Sequence, residues 1–206
     1  MKKTRLRIIV NFLIIAGSFG AWLIMVFSSG GMLTDTGLRS LKYFTVLSNL
    51  FEGAASIVWL AAKSDAALVR AEKLKYAGTV SVMLTFMTVM LFLGPLYGYG
   101  AMLAGVNLFL HLLVPLAALA ECIFLSDAEY SRKDNLLSVI PMLVYGTFYL
   151  GNNSINGIGE WPDTNDWYSF LAWGYPVGIG IFAALCLITY GVGALIRKVN
   201  NLYDEH

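Results

Sequence analysis

The chain has 206 residues, of which 58% are hydrophobic and 13% are charged, and its formal net charge at pH 7 is +1. Its mean hydropathy of +0.68 is well above that of soluble domains, so the composition predicts a membrane protein surrounded by lipids. A near-neutral charge with no basic block beyond residue 7 argues against nucleic acid as a partner.

Six apolar runs are each close to the length of about 20 residues that a helix needs to cross the hydrocarbon of a bilayer. They lie at 8–27, 41–62, 74–93, 102–125, 136–150 and 170–196. Gly-rich or charged connectors separate them, as is typical of loops. Because the chain has no repeat and no low-complexity tract, the sequence predicts a single all-α domain, residues 1–206, with six transmembrane helices.

The distribution of lysine and arginine predicts how these helices are oriented. Twelve of the fourteen cations fall at the N-terminus, in the second and fourth connectors or in the C-terminal tail. Six crossings would place all of these segments on one side, and cations accumulate on the cytoplasmic side. The opposite side gathers four acidic residues: Asp35, Glu160, Asp163 and Asp166. Both termini are therefore predicted to be cytoplasmic, and the short basic start with minimal loops suits a bacterial inner membrane.

The basic start and the first apolar run also permit a second interpretation, a cleavable signal peptide. The run at 8–27 is longer than the usual apolar region of a signal, and its removal would break the even number of crossings. Cys122 and Cys186 lie within predicted helices and are interpreted as apolar core residues. Neither their number nor their spacing fits a disulfide framework or a metal site, so no metal and no cofactor are predicted.

Polar side chains inside the predicted helices are the main functional signal, because each of them needs a partner in lipid. One face of the second helix carries five of them at helical spacing: Thr45, Ser48, Asn49, Glu52 and Ser56. On the fourth helix, Asn107 and His111 lie one turn apart, and Pro115 follows after a further turn. These stripes predict a polar interior shared by neighbouring helices.

Thr45 and His111 fall at comparable depths if both helices start on the outer side. At 1.5 Å per residue, Thr45 lies about 6 Å and His111 about 13 Å from the predicted start of its helix, and helix ends vary by a few residues. The two side chains are thus predicted to meet in the outer half of the bilayer if the helices are neighbours. Glu52 lies about 10 Å deeper than Thr45 and is predicted to be a supporting group.

Each of these residues also has a purely structural interpretation. A lone imidazole such as His111 can be a satisfied core residue, although this is costly in lipid. The Thr45 hydroxyl can return to the carbonyl of Leu41, four residues back. Glu52 can be a buried carboxylic acid bonded to Asn49 or to a neighbouring helix. Taken alone, none of these residues identifies a function.

Short motifs in three helices resemble the androgen-induced and androgen-dependent family of integral-membrane threonine hydrolases and its bacterial relatives. The motifs are KYFTVLSNLF in the second helix, HLLVP in the fourth and WGYP at the entrance of the last. The resemblance implies a six-helix layout and hydrolysis, within the membrane, of fatty acid esters of hydroxy fatty acids. It implies that Thr45, in the Phe-Thr-x-x-x-Asn context, and His111, in the His-x-x-Val-Pro context, carry the reaction.

The chemistry of such a pair is acyl transfer from a lipid ester to water. His111 removes the proton of the Thr45 hydroxyl, the hydroxyl oxygen attacks the ester carbonyl, and water then hydrolyses the acyl-threonine. Asn107 or Asn49 is predicted to orient the imidazole. Supporting or substrate-binding roles are predicted for Ser48, Asn49, Glu52, Asn107 and Tyr175.

Two other classes of function remain open from the sequence. A proton-coupled transporter or channel would use Glu52 and His111 as a relay. Carriers often contain an inverted repeat, which this chain lacks, although a homodimer would supply the symmetry. A non-catalytic scaffold would leave the deep polar residues without a purpose. The sequence therefore favours the hydrolase.

Overall fold

The fold is all-α, as predicted. A computed structural model describes residues 2–27, 37–160 and 163–204, so that Asp35 and His206 lie outside the described residues. Of the structure, 83% is helical, and none of the described residues is in a β-strand.

Seven helices are named here in chain order. They are α1 (Lys2–Phe27), α2 (Phe44–Ala61), α3 (Asp65–Tyr97), α4 (Val106–Leu125), α5 (Arg132–Leu137), α6 (Ile140–Asn156) and α7 (Tyr175–Asp204). Within the described ranges, five of them, α1, α2, α3, α4 and α7, are long and apolar enough to cross a membrane. The sixth predicted span, 136–150, corresponds to α6, which has 17 residues and is not one of these five.

Two helices differ from their predicted limits because of local hydrogen bonding and proline. α3 begins nine residues before the predicted position 74, because Ser64 Oγ accepts the backbone N–H of Ala67 at 3.3 Å and caps the helix. α6 begins next to Pro141, since proline is well suited to the first turn of a helix. It continues past residue 150 because the side chains of Asn153 and Ser154 bond to carbonyls one turn back.

Helices α1 to α4 form the centre of the fold. Four completely or almost completely buried apolar side chains join α1, α3 and α4: Ile14, Val82, Val114 and Ala118. α2 and α3 approach each other closely at Gly78, where a Cβ would overlap Glu52 Oε2 and lie 3.1 Å from Glu52 Cα. Consecutive long helices run in opposite directions, so the two ends of the bundle are called the Lys2 end and the Phe27 end below.

At the Phe27 end, tyrosine hydroxyls of α6 and of the loop after it form hydrogen bonds with the backbone at the start of α2. The hydroxyl of Tyr168 accepts the backbone N–H of Phe44 at 3.0 Å, and the Tyr145 hydroxyl donates to the carbonyl of Lys42 at 2.7 Å. Burial raises the pKa of Tyr168 to about 12, so this phenol stays neutral at physiological pH. The first turn of α2, which contains Thr45, is thereby fixed in position.

Candidate active site

His111 lies in a π-helical turn, Phe109–Leu113, within α4. The turn closes through the N–H of Val114, which donates to the carbonyl of Phe109, five residues back. Pro115 has no N–H to donate, and in a regular α-helix its ring would clash with the carbonyl of His111, four residues back. Pro115 thus accounts for this π turn, and the described helices contain two more, Val89–Leu93 in α3 and Glu121–Leu125 in α4.

The imidazole of His111 is held in one tautomer by the main chain. Its Nδ1 lies 2.7 Å from the carbonyl oxygen of Met102, and the residue is 7% exposed. Because a carbonyl only accepts hydrogen bonds, Nδ1 carries the proton, and Nε2 has the free electron pair when the ring is neutral. Nε2 makes no hydrogen bond with the residues that the structure describes. This is the arrangement that a general base requires.

The group that orients His111 is therefore Met102, whereas the sequence predicted Asn107 or Asn49. Asn107 is half-buried, and within the described ranges its side chain makes no hydrogen bond. Asn49 bonds to main-chain oxygens instead. The role of Met102 was missed because a backbone carbonyl has no signature in the sequence.

Asn49 joins the turn of Thr45 to the turn of His111. Its Nδ2 donates to the carbonyl of Thr45 at 2.8 Å and to the carbonyl of Leu110 at 3.0 Å. Because one nitrogen reaches both oxygens, the oxygens lie no further apart than the sum of these two distances. The second and fourth predicted helices are thus neighbours at this depth, which was the condition for Thr45 and His111 to meet.

The hydroxyl of Thr45 is free of hydrogen bonds to the described residues, and the side chain is half-buried. The expected structural bond to Leu41 is therefore not formed. By contrast, Thr88 and Thr147 each donate the hydroxyl to the carbonyl four residues back at 2.9 Å. Thr79 Oγ1 also has no hydrogen-bond partner among the described residues, but Thr79 is completely buried, whereas the half-buried Thr45 keeps its hydroxyl available to a base or a substrate.

Ser48 and Tyr175, two further predicted residues, contact the surroundings of Thr45. Ser48 Oγ donates to the carbonyl of Thr45 at 3.1 Å and lies 3.1 Å from Thr85 Oγ1 of α3, so it connects the first turns of α2 to α3. Tyr175, at the start of α7, is half-buried against an aromatic cluster that includes Phe44. Ser48 thus holds the start of α2 against α3, and Tyr175 packs on the cluster that contains Phe44, the residue before Thr45.

Glu52 belongs to a different cluster, nearer the Lys2 end. Its Oε1 accepts a hydrogen bond from Lys75 Nζ, which also lies 3.4 Å from Glu121 Oε2. Arg7 Nε donates to Glu121 Oε1, and the two Nη atoms of Arg7 donate to the two carboxylate oxygens of Glu72 at 2.7 and 2.6 Å. We call these five residues, which alternate in charge and come from α1 to α4, the ionic chain.

The ionic chain was not apparent from the sequence. Arg7 and Lys75 were counted as cations of the N-terminus and of the second connector, but they are only 6% and 1% exposed. Glu121 lay unnoticed at the end of an apolar run and is 1% exposed. Charges inside apolar runs were the available signal, since each of them needs a partner there. Glu52 and His111 share no hydrogen bond in the described residues, so the relay expected of a transporter is not formed directly.

A cavity of about 550 Å³ lies at the Phe27 end, beside the start of α2. It is lined by Leu41 and Lys42, which precede Thr45 by one turn, and by Arg39, which pairs with Asp163 at 3.1 Å. Two cationic residues that precede Thr45 closely in the sequence, Arg39 and Lys42, thus line this cavity.

The role of Pro115 gives a testable prediction about the imidazole. In Pro115→Ala, the new N–H can donate to the His111 carbonyl, and loss of the π turn would rotate part of α4 by about 100°. We expect ¹⁵N NMR of histidine-labelled protein to show the Nδ1-protonated tautomer in the parent chain and a mixture of tautomers in Pro115→Ala. Replacing His206 by Asn in both chains leaves a single histidine signal. An unchanged tautomer in Pro115→Ala would contradict this explanation of the motif.

In chemical terms, this region combines an imidazole with a basic Nε2, a threonine hydroxyl without an internal partner, and an asparagine that connects their helices. The described residues contain no group of three His, Cys, Asp or Glu side chains that could hold a metal ion. Comparisons of the chain with protein-family models, with curated proteins and with solved structures gave no match.

Proposed function

We propose that the protein is an intramembrane hydrolase of lipid esters, with Thr45 as the nucleophile and His111 as the general base. The observation that carries this proposal is the hydrogen bond from His111 Nδ1 to the Met102 carbonyl, which leaves Nε2 as the base. It is supported by the unbonded hydroxyl of Thr45 and by the link that Asn49 makes between the two turns.

The reaction proceeds in two acyl transfers. Nε2 of His111 takes the proton of the Thr45 hydroxyl as Oγ1 attacks the ester carbonyl, and the imidazolium then protonates the departing alkoxide. The same nitrogen next removes a proton from water as the water oxygen attacks the acyl-threonine, and the imidazolium returns this proton to Thr45 Oγ1 when the bond to the acyl group breaks and the fatty acid leaves. The Met102 carbonyl holds the ring in place and stabilises its Nδ1–H throughout.

The topology that goes with this mechanism has six crossings and cytoplasmic termini, with α6 as the sixth span. The Lys2 end then faces the cytoplasm of a bacterial inner membrane, and Thr45 and His111 lie in the outer half of the bilayer. An ester inside a two-chain lipid reaches this depth laterally. The neighbouring cavity is lined by Arg39, Lys42 and Asp163, and Arg39 is paired with Asp163, so its lining carries one net positive charge toward the carboxylate end of a fatty acid ester of a hydroxy fatty acid.

A fluorophosphonate probe tests this assignment without knowledge of the physiological ester. We expect membranes containing the protein to be labelled, and mass spectrometry to locate the phosphonyl group on Thr45. Labelling should be lost in Thr45→Ala and in His111→Ala. Thr147→Ala is the matched control, because this helical threonine is exposed and remote in sequence from the proposed site. Labelling of Thr45→Ala at the level of the parent chain would refute the proposal.

A further inference from the structure

The charges of the ionic chain do not balance. Its members are three carboxylates, Glu52, Glu72 and Glu121, and two cations, Arg7 and Lys75. All five residues are at most 7% exposed. If every group is ionised, the cluster has one net negative charge in the interior of a bundle of apolar helices. An unbalanced charge is unfavourable in such an interior, and a buried group ordinarily takes up a proton or a cation instead.

The hydrogen bonds indicate which of the three carboxylates is least stabilised in its ionised form. Glu72 accepts two hydrogen bonds from Arg7, one from Trp59 Nε1 at 2.8 Å and one from Ser126 Oγ at 3.1 Å. Glu121 faces two cations: its Oε1 accepts from Arg7 Nε and from Asn11 Nδ2 at 3.4 Å, and its Oε2, which like Glu52 Oε2 has no hydrogen bond to the described residues, lies 3.4 Å from Lys75 Nζ. These two carboxylates each face a cation and at least one further donor.

Glu52, by contrast, has a single partner. Lys75 bonds to Oε1 and divides its remaining donors between Ser56 Oγ at 2.8 Å and the Glu121 carboxylate. Oε2 of Glu52 is fully buried without a hydrogen-bond partner. It lies against the backbone of α3 at Gly78, where the absence of a side chain makes room for it. The titratable groups facing Glu52 are Lys75 from α3 and, beyond it, Glu121 from α4, which is in turn paired with Arg7 from α1.

We propose that the ionic chain is a proton-binding site in which Glu52 Oε2 holds one proton. The proton comes from water and converts the carboxylate to a neutral carboxylic acid, so that two carboxylates and two cations remain. The neutral acid still accepts the hydrogen bond of Lys75 on Oε1. This site is separate from Thr45 and His111, and it does not depend on the hydrolase proposal.

Infrared spectroscopy of the full chain in micelles of a detergent without ester or carboxyl groups tests the site directly. At pH 8 the exposed carboxyl groups are ionised, so a remaining C=O stretching band of a protonated acid reports a buried one. We expect this band in the parent chain, its shift in D₂O as the proton exchanges, and its loss in Glu52→Gln. Glu129→Gln, a change at an exposed glutamate, should leave the band unchanged.

A second variant tests the charge count itself. In Glu121→Gln only two carboxylates face the two cations, so Glu52 should release its proton and the acid band should disappear although Glu52 is present. Absence of a Glu52-dependent band in the parent chain, or a full band in folded Glu121→Gln, would overturn the proposal. A band that appears only when sodium and potassium are removed would also overturn it, since the occupant would then be a metal cation. None of these measurements uses Thr45 or an ester.

Discussion

Replacing either Thr45 or His111 by alanine is expected to lower kcat/KM for a lipid ester by about 10² to 10⁴-fold. Thr45→Ala removes the proposed nucleophile, and His111→Ala removes the group that activates it, an effect typically of about 10² to 10⁴-fold. Because both residues act in the same steps, the double variant should be no worse than the more damaged single variant. Activity is measured with purified protein in lipid nanodiscs on a panel of fatty acid esters of hydroxy fatty acids.

Matched variants distinguish loss of chemistry from loss of structure. Thr147→Ala should keep the parent activity, because its hydroxyl bonds only to the carbonyl of Leu143 on an exposed helix face. The thermal unfolding midpoint of Thr45→Ala should stay close to that of the parent chain, since the Thr45 hydroxyl makes no bond to the described residues. If both single variants retain more than about a tenth of the activity, the two residues are not the catalytic pair.

Arg7→Ala is expected to destabilise the protein by about 3 to 5 kcal/mol, the cost typical of breaking a buried ion pair by removing one partner. The reason is that Arg7 donates three hydrogen bonds, two to Glu72 and one to Glu121, and that its guanidinium also lies 4.3 Å from the ring centre of Trp59. The free energy of unfolding is measured by denaturant titration in detergent micelles.

Arg5→Ala is the control for this variant. Arg5 lies two residues earlier on the same helix, but its side chain is exposed, so its loss should change the free energy of unfolding by no more than about 0.5 kcal/mol. Arg7→Lys should fall in between, because lysine keeps the charge but cannot bond to both oxygens of Glu72 with a planar fork. Equal losses in Arg5→Ala and Arg7→Ala would mean that the ionic chain does not stabilise the fold.

The difference between an exposed charge such as Arg5 and a buried, paired charge such as Arg7 also explains which parts of this structure were predictable from the sequence. Apolar runs located α1, α2, α4 and α7, because a span is a local property of composition and length. The start of α3 was missed: hydropathy assigned its charged first turns to a connector, but Glu72 and Lys75 find partners in the bundle. The end of α6 was missed for a related reason, since Asn153 Nδ2 donates to carbonyls of its own helix and of the following loop.

The amino-acid sequence was sufficient to predict the helical class and the polar face of α2 that includes Thr45 and Asn49, and five of the six spans that it predicted are long and apolar enough in the described residues to cross a membrane. The partners of those polar side chains are apparent only from the packed helices. Spacing along a helix shows that residues share a face, but it does not show which backbone oxygen or which distant charge lies opposite. The carbonyl of Met102 lies next to the imidazole of His111 because of the course of the backbone before α4. Glu52 bonds to Lys75 because α2 and α3 approach each other closely at Gly78. Both contacts depend on how the helices pack.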